Sequence, residues 1–337
     1  MRLQRRIFVI TGLCALLLFG FLRLQPNNDF SPNKPGSEIV FLVQDGELGS
    51  SIAQNLQNQG VIKSADKFIE EFIKDPKASG ISPGSHSIQT QIPARTAIDQ
   101  LLDPKRMRSA LVVREGSTLA SVLSLLKTNE NIARTKTGYG EVKPVYANPR
   151  NSLEGSLFPA RYSFEANTSV ERALKTMVGK AKSEYTRLGI DAGFDAGSDK
   201  YNPFEVLTIA SMVQIEGDPG NFSKVARVIY NRLKIGMALQ LNATVQYATN
   251  SQGQIMLSNK ATKINSPYNT YRFAGLPPTP IANPSNDAIE ATLNPAVGDW
   301  LYFITVAPKD TRFTKDFKEF SEWNTEFNKN VAAGKFK

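Results

Sequence analysis

The N-terminal part of the chain has a hydrophobic pattern unlike the rest. An uncharged run extends from Ile7 to Leu22, with Arg6 before it and Arg23 after it. As a helix this run would span about 24 Å, and the flanking arginines can extend it toward a hydrocarbon core about 30 Å thick. The basic leading flank predicts a cytoplasmic tail over residues 1–6, a single-pass anchor in the plasma membrane over 7–24, and an extracytoplasmic remainder.

A cleaved signal peptide is the alternative interpretation of this run. No small-x-small cleavage site follows it, which favours a retained anchor. Residues 25–37 are rich in Pro, Asn and Ser and contain little that could be buried. We predict that they form a flexible linker between the membrane and the folded part.

Two later segments repeat one order of elements: a strand-like apolar run, an acidic residue followed by glycine, and a helical spacing of apolar residues. The runs are Glu38–Val43 and Leu111–Val113. The positions in register are Asp45 and Glu115, Gly46 and Gly116, Ser51 and Ser121, Ile52 and Val122, and Leu56 and Leu126. This order is typical of LysM-type glycan-binding units and also of the common generic β-turn-α element. We predict a small LysM-like αβ region over 38–150, with the generic alternative open.

Beyond this region the pattern separates helices from strands. Residues 135–150 have mixed polarity with several Gly and Pro, which indicates a connection between domains. Helical spacing dominates from there to about Met237, and a proline-rich stretch of turns follows. Trp300–Val306 has the pattern of a buried strand. Separate blocks of helix and strand predict an α+β fold, with a mixed α+β domain over 151–330.

Composition limits the chemistry that the chain can perform. The net charge of +9 favours a polyanionic partner, but no window has the dense Lys/Arg cluster of a nucleic-acid site, so we predict no nucleic-acid partner. The single cysteine, Cys14, lies in the apolar run, and the single histidine, His86, is predicted in a surface turn. With one histidine and one cysteine, the composition argues strongly against a Ser-His-Asp triad and an ordinary His/Cys zinc site. Carboxylates, hydroxyls, amides and lysines remain, and we predict no metal and no cofactor.

One predicted helix, within Tyr201–Gly217, presents a carboxylate at the end of an apolar face. Its boundary signals are the N-cap Asn202, Pro203 at the first position, Glu205 at capping-box spacing and Gly217 at the C-terminus. Glu216 lies three, four and seven residues after apolar positions, so it continues their face. Partial burial would raise its pKa and suit it to act as a general acid. A solvent-exposed carboxylate is the alternative.

Polar and aromatic residues follow this helix and form a candidate carbohydrate site. They are Gln240, Asn242, Thr244, Tyr247, Tyr268, Asn269 and Tyr271. Amides and hydroxyls beside flat aromatic faces suit sugar hydroxyl and acetamido groups. A turn-rich region whose polar groups satisfy one another is an equal alternative.

Several ordered blocks resemble the MltG-type (YceG-like) endolytic murein transglycosylases. The matching blocks are Leu153–Pro159, Ala210–Glu216, Asn231–Met237, Leu239–Gln240, Thr244–Val245, Tyr247, Ser266–Tyr271, Gly275–Pro278, Trp300–Phe303 and Phe313–Thr314. The resemblance covers roughly residues 150–325, and it implies a membrane-tethered enzyme that cleaves the β-1,4 bond between N-acetylmuramic acid and N-acetylglucosamine in nascent glycan strands. It further implies one catalytic glutamate, here Glu216, a 1,6-anhydro product that ends strand elongation, and penicillin-binding-protein synthases as partners.

Three positions depart from the family pattern. Gln214 stands where many members have a first glutamate, Asn242–Ala243 replaces Asp-Pro or Asp-Ser, and Asp316–Trp323 has no histidine. If Gln214 occupies the catalytic position, the chain is inactive. A membrane-bound, wall-binding or scaffolding protein that holds glycan without cutting it is therefore the competing hypothesis.

Overall fold

The computed structural model describes residues 28–44, 46–108, 111–134, 140–165, 167–197, 199–252, 258 and 260–336. These residues form an α+β fold of ten α-helices and eight strands, and the strands make four two-stranded antiparallel sheets. The α+β prediction is confirmed. Within the described residues, no helix combines the length and apolarity needed to cross a membrane. The predicted anchor over 7–24 lies outside the described residues.

The chain divides into two compact units, Met1–Arg108 and Ser109–Lys337. In the first, β1 pairs antiparallel with β2, and two helices lie between these strands in the sequence. The elements are β1 (Glu38–Val43), α1 (Gly49–Asn58), α2 (Ala65–Lys74), β2 (Gly84–Gln89) and α3 (Ala94–Leu102). Their apolar faces meet in one core that includes Phe41, Leu56, Phe68, Ile88 and Ile98.

His86 lies within β2, opposite Phe41, and is fully buried. The prediction of a surface turn at His86 is wrong, because the strand begins at Gly84 and its alternation places His86 on the same inward face as Ile88. The His86 Nε2 atom lies 2.8 Å from the Ser82 carbonyl oxygen. Its Nδ1 atom has no hydrogen-bond partner in the described part of the chain, and burial lowers the pKa of the imidazole.

The second unit begins with β3 (Leu111–Val112), which pairs with β4 (Arg161–Tyr162), and with α4 (Leu119–Thr128). The strand and helix of the predicted second repeat are both present. They pack into one core with Leu153 and Leu174. The two compact units divide at 108/109, since the apolar face of α4 is covered by residues that follow it. The domain bounds 38–150 and 151–330 stay predictions.

Helices form the centre of the second unit. They are α5 (Val170–Leu188), α6 (Pro203–Glu216), α7 (Phe222–Lys234), α8 (Asn242–Thr249) and α9 (Asn286–Leu293), with the short strands β5 (Phe194–Asp195) and β6 (Lys200–Tyr201) before α6. The predicted capping box of α6 is confirmed, with Asn202 and Glu205 in reciprocal hydrogen bonds. Eight consecutive residues of α6, from Val206 to Val213, are buried, because other helices pack around it.

The C-terminal part is a β-hairpin covered on one side by a helix. It consists of β7 (Tyr302–Ala307), β8 (Asp310–Thr314) and α10 (Phe317–Ala332). The predicted strand is present, but Val306 is its one fully buried residue. Tyr302 packs against Phe320 of α10, and Phe303 packs against the core of the helices, yet most of the strand is only half-buried. The prediction of a buried strand was therefore wrong about the degree of burial.

Acid should destabilise the protein through His86. The unfolded chain binds a proton near the ordinary pKa of 6.5, whereas the buried imidazole binds it only at lower pH, so stability falls as the pH drops below about 6.5. His86→Gln keeps an N–H donor for the Ser82 carbonyl but does not titrate. Urea unfolding at about pH 7.5 and about pH 5 measures the free energy of unfolding. Between these two pH values it should fall less for the variant than for the wild type. Equal losses would contradict the burial of a neutral imidazole.

Candidate active site

Glu216 is the last residue of α6 and is partly buried. Its Oε1 atom accepts a hydrogen bond of 2.8 Å from the N–H of Ala243, in the first turn of α8. The first N–H groups of a helix have no partner within that helix. The carboxyl group therefore joins the end of one helix to the start of another.

A buried arginine lies near this carboxyl group. Arg232 in α7 is 6% exposed, and its guanidinium donates to the carbonyls of Leu301 and Leu239 at 2.6 Å each. It also lies 5.3 Å from the centre of the Tyr302 ring. Burial raises the pKa of Glu216 to about 7, while the Ala243 N–H and the positive charge of Arg232 limit that rise. A carboxyl group with this pKa holds its proton in about half of the molecules at neutral pH.

Two predicted site residues, Asn242 and Tyr271, contact each other beside Glu216. The Tyr271 hydroxyl donates to Asn242 Oδ1 at 2.6 Å, and Asn242 is the first residue of α8. Burial and the charge of Glu216 both raise the pKa of Tyr271. Gln240 is exposed, and its backbone N–H donates to the Thr270 carbonyl at 3.0 Å.

Thr244 and Asn269 are fully buried, and their polar atoms are bonded within the protein. Thr244 Oγ1 donates to the Leu241 carbonyl at 2.8 Å and lies 2.9 Å from Thr270 Oγ1. The Asn269 amide donates to two backbone carbonyls and accepts from the Tyr271 N–H at 3.1 Å. These contacts fix the loop that carries Tyr271 against α8. A direct contact of either side chain with substrate stays a prediction.

Tyr247 and Tyr268 line an open cleft of about 500 Å³. Their ring centres are 5.0 Å apart, and the Arg150 guanidinium lies 5.5 Å from the Tyr268 ring centre. Glu154, which is 3% exposed, lies at the same cleft. Its Oε2 atom accepts from the Tyr247 hydroxyl at 3.0 Å, and Oε1 accepts from the Leu119 N–H at 2.9 Å. Burial raises the pKa of Glu154 to about 7 despite these donors.

The segment that carries Glu154 is held by close packing. Gly155 has a φ of +78°, and a Cβ atom there would lie 2.7 Å from Pro280, so only glycine fits. The fully buried Asn283 accepts from the Leu157 N–H at 2.8 Å through its Oδ1 atom. These contacts fix the backbone on both sides of Glu154.

Gln214, two residues before Glu216, makes a structural contact. Its Oε1 atom accepts from the N–H of Ser285 at 2.8 Å, and Ser285 is the N-cap residue of α9. The amide thus joins α6 to α9. Across the described ranges, no group of three or more His, Cys, Asp and Glu side chains is arranged to hold a metal ion.

Comparison with known proteins places this architecture in a family. The model of the YceG-like family matches residues 41–327. The chain belongs to the YceG-like family. It is 30% identical over 301 residues to an endolytic murein transglycosylase of Bacillus subtilis (strain 168), which covers 83% of this chain and 82% of the relative.

Two further YceG-like relatives extend the comparison. An endolytic murein transglycosylase of Streptococcus pneumoniae serotype 2 is 40% identical over 163 residues, which are 46% of this chain and 28% of the relative. The matched residues therefore span less than a third of that relative's length. A crystal structure of a yceG-like protein from Listeria monocytogenes superposes with a TM-score of 0.50 at 25% identity and covers 85% of this chain and 98% of the other.

Sequence reasoning did not assign a role to Arg232 or Glu154, although both lie in blocks that resemble the family. A signal for Arg232 was present, because it lies three and four residues after the apolar Ile229 and Val228 and so shares their buried face. A charged residue on such a face requires buried partners. No comparable local signal marks Glu154, whose partner Tyr247 is 93 residues away in the sequence.

As the pH rises, the free energy of unfolding should fall less for the Glu154→Gln variant than for the wild type. The unfolded chain releases this proton near pH 4.5 and the folded chain near pH 7, so the carboxyl group destabilises the fold by up to about 3 kcal/mol above pH 7. The glutamine keeps an acceptor for the Leu119 N–H. Urea unfolding at about pH 5 and about pH 8 measures the effect.

The control for this measurement is Glu290→Gln, which alters an exposed carboxyl group of α9. That variant should keep the pH dependence of the wild type. The prediction fails if Glu154→Gln and Glu290→Gln behave alike.

Proposed function

We propose that this chain is an endolytic murein transglycosylase, a lyase that cuts glycan strands of peptidoglycan, with Glu216 as its single catalytic acid and base. The observation that carries the proposal is the position of Glu216. A partly buried carboxyl group with a pKa of about 7 lies at the end of α6, beside Asn242 and Tyr271. A carboxyl group that keeps its proton in about half of the molecules near neutral pH suits general acid catalysis.

In the proposed first step, Glu216 gives its proton to the oxygen of the β-1,4 bond between N-acetylmuramic acid and N-acetylglucosamine. The bond from that oxygen to the muramoyl C1 breaks, and N-acetylglucosamine leaves with a free hydroxyl. The Ala243 N–H occupies Oε1, so Oε2 is the oxygen suited to carry the proton. The Ala243 N–H and the Arg232 charge then stabilise the carboxylate that remains.

In the second step, the Glu216 carboxylate takes the proton of the muramoyl C6 hydroxyl. The C6 oxygen bonds to C1, and the product is a 1,6-anhydro-muramoyl end. No water enters, and the proton of the C6 hydroxyl returns Glu216 to its protonated form. Because the nucleophile belongs to the substrate, a partner carboxylate of the kind used in hydrolysis is not needed.

The other predicted site residues divide into two proposed roles. Gln240, Asn242, Tyr247, Tyr268 and Tyr271 contact the strand through amides, hydroxyls and aromatic faces. Thr244 and Asn269 position the loop and α8, a role that their buried hydrogen bonds support. Glutamine in place of glutamate at 214 does not alter the proposed acid, Glu216. The Gln214 side chain only accepts from the Ser285 N–H, and an amide oxygen serves there as well as a carboxylate oxygen.

The predicted organisation fits this activity. An anchor over 7–24 and a linker over 25–37 would hold the enzyme on the outer side of the plasma membrane, close to nascent strands. A LysM-like region within 38–150 would hold glycan there, and cutting strands during synthesis would end their elongation beside penicillin-binding-protein synthases. The two helices between antiparallel strands in the first unit support a compact binding module in this position.

Glu216→Gln should lower the rate of strand cleavage by about a hundredfold to ten-thousandfold, because the amide can neither donate nor accept the transferred proton. Release of 1,6-anhydro-muramoyl ends from purified glycan strands measures the activity. Unfolding in urea should show no loss of stability, since the amide oxygen can still accept from the Ala243 N–H.

Glu290→Gln is the matched control, and it should cut strands at the wild-type rate. If Glu216→Gln keeps wild-type activity, Glu216 is not the acid. If the wild type binds strands and releases no anhydro ends, the protein holds glycan without cutting it.

Activity should fall as the pH rises above about 7, since the first step needs protonated Glu216. At well above pH 7, kcat/KM should drop about tenfold per pH unit. Glu154 has its pKa in the same range, so the profile of Glu154→Gln identifies the group. The falling limb should persist in that variant. A rate that rises through about pH 8 would mean that the ionised carboxylate begins the reaction.

A further inference from the structure

Two chemically different pairs of side chains line the cleft near the proposed catalytic glutamate. Leu119 and Leu123 of α4 are aliphatic and are called the leucine wall here, and Tyr247 and Tyr268, with ring centres 5.0 Å apart, are called the tyrosine wall. Tyr247 follows Ala243 by four residues in α8, which is about 6 Å along a helix axis. The cleft therefore lies about one helical turn from the residue that binds Glu216.

Arg150 places a positive charge at this cleft. Its side chain is exposed, its guanidinium stacks near Tyr268, and it forms no ion pair with a described residue. Glu154, the carboxyl group among the described lining residues, is buried. Its Oε1 atom accepts from the Leu119 N–H and its Oε2 atom from the Tyr247 hydroxyl. Arg150 thus has five N–H donors available for an anionic ligand.

The sugars of a glycan strand do not supply that anion. N-acetylglucosamine is uncharged, and the lactyl group of N-acetylmuramic acid is uncharged where a peptide is attached to it through an amide bond. The carboxylates of such a strand belong to its peptide stems. The alanine methyl groups of a stem suit the Leu119 and Leu123 wall, and its backbone suits the amides of Asn250 and Gln252, which also line the cleft.

We propose that this cleft binds a peptide stem of the strand, with a stem carboxylate on Arg150 and the stem backbone between the leucine wall and the tyrosine wall. This inference rests on the proposed function. Arg150 is then a specificity-determining residue, which makes the enzyme prefer strands that carry stems. It takes no part in the bond cleavage.

Binding to the Glu216→Gln protein tests the proposal without cleavage. Three probes are compared: strands with intact stems, the same strands with stem carboxyl groups converted to amides, and strands whose stems an amidase has removed, which leaves a free lactyl carboxylate. Adding Arg150→Gln should weaken binding of the first probe about five- to tenfold. It should change binding of the other two by less than about twofold.

Two further variants sharpen this comparison. Arg150→Lys keeps the charge and should restore part of the lost affinity for intact stems. Arg172→Gln removes an exposed arginine of α5 that does not line the cleft, and it should bind all three probes as the parent does. Equal weakening of all three probes by Arg150→Gln would overturn the proposal, and so would weakening confined to the amidase-treated strands or no weakening at all.

The two proposals fail in different ways. With Glu216 present, Arg150→Gln should raise KM for stem-bearing strands and leave kcat unchanged. If the wild type produces no anhydro ends, the cleavage mechanism fails while the binding comparison still decides the role of the cleft. If anhydro ends form and the binding comparison shows no stem dependence, the stem site alone fails.

Discussion

The hydrogen bond from the Ala243 N–H to Glu216 joins two helix ends, and the site is arranged around this contact. The carboxyl group ends α6, while the N–H belongs to the first turn of α8 and lacks a partner within its own helix. An ionised carboxylate gains from this donor and from Arg232, yet burial opposes ionisation more strongly, so the pKa of Glu216 is raised to about 7. Moving α8 away would remove the donor and admit water. The protonation of the acid therefore depends on the packing of α8.

The packing of α8 depends on residues far apart in the sequence. Thr270 bonds to Thr244 and to the Leu241 N–H on one side of the helix start, and the Tyr271 hydroxyl bonds to Asn242. Later in the same helix, the Tyr247 hydroxyl donates to Glu154. Glu154 is itself held by a segment in which only glycine fits at 155. Thr244, one of the predicted sugar ligands, thus has its hydroxyl bonded within the protein and helps to hold the start of α8.

Local signals predicted local structure well. The N-cap, proline and capping-box residues of α6 gave its bounds because each acts within four residues. The boundary at 108/109 and the roles of Glu154 and Arg232 depend on contacts across tens of residues, which periodicity does not encode. The prediction for His86 was wrong for a similar reason. Its Pro-Gly-Ser context is typical of a turn, but pairing with Phe41 in β1 makes it a buried strand residue. Partial burial of Glu216 could be predicted because its own helix places it on an apolar face, and its catalytic role stays a prediction.

Burial raises the pKa values of two carboxyl groups of this unit, Glu216 and Glu154, to about 7, so pKa alone does not identify the acid. Hydrogen bonding distinguishes them. Both oxygens of Glu154 are bonded to protein donors and it is 3% exposed, which leaves it no free oxygen for a substrate. Among the described residues, Glu216 has a donor on Oε1 alone and keeps partial exposure. A general acid must reach the substrate with its proton, and this criterion favours Glu216 over Glu154 as the proposed acid.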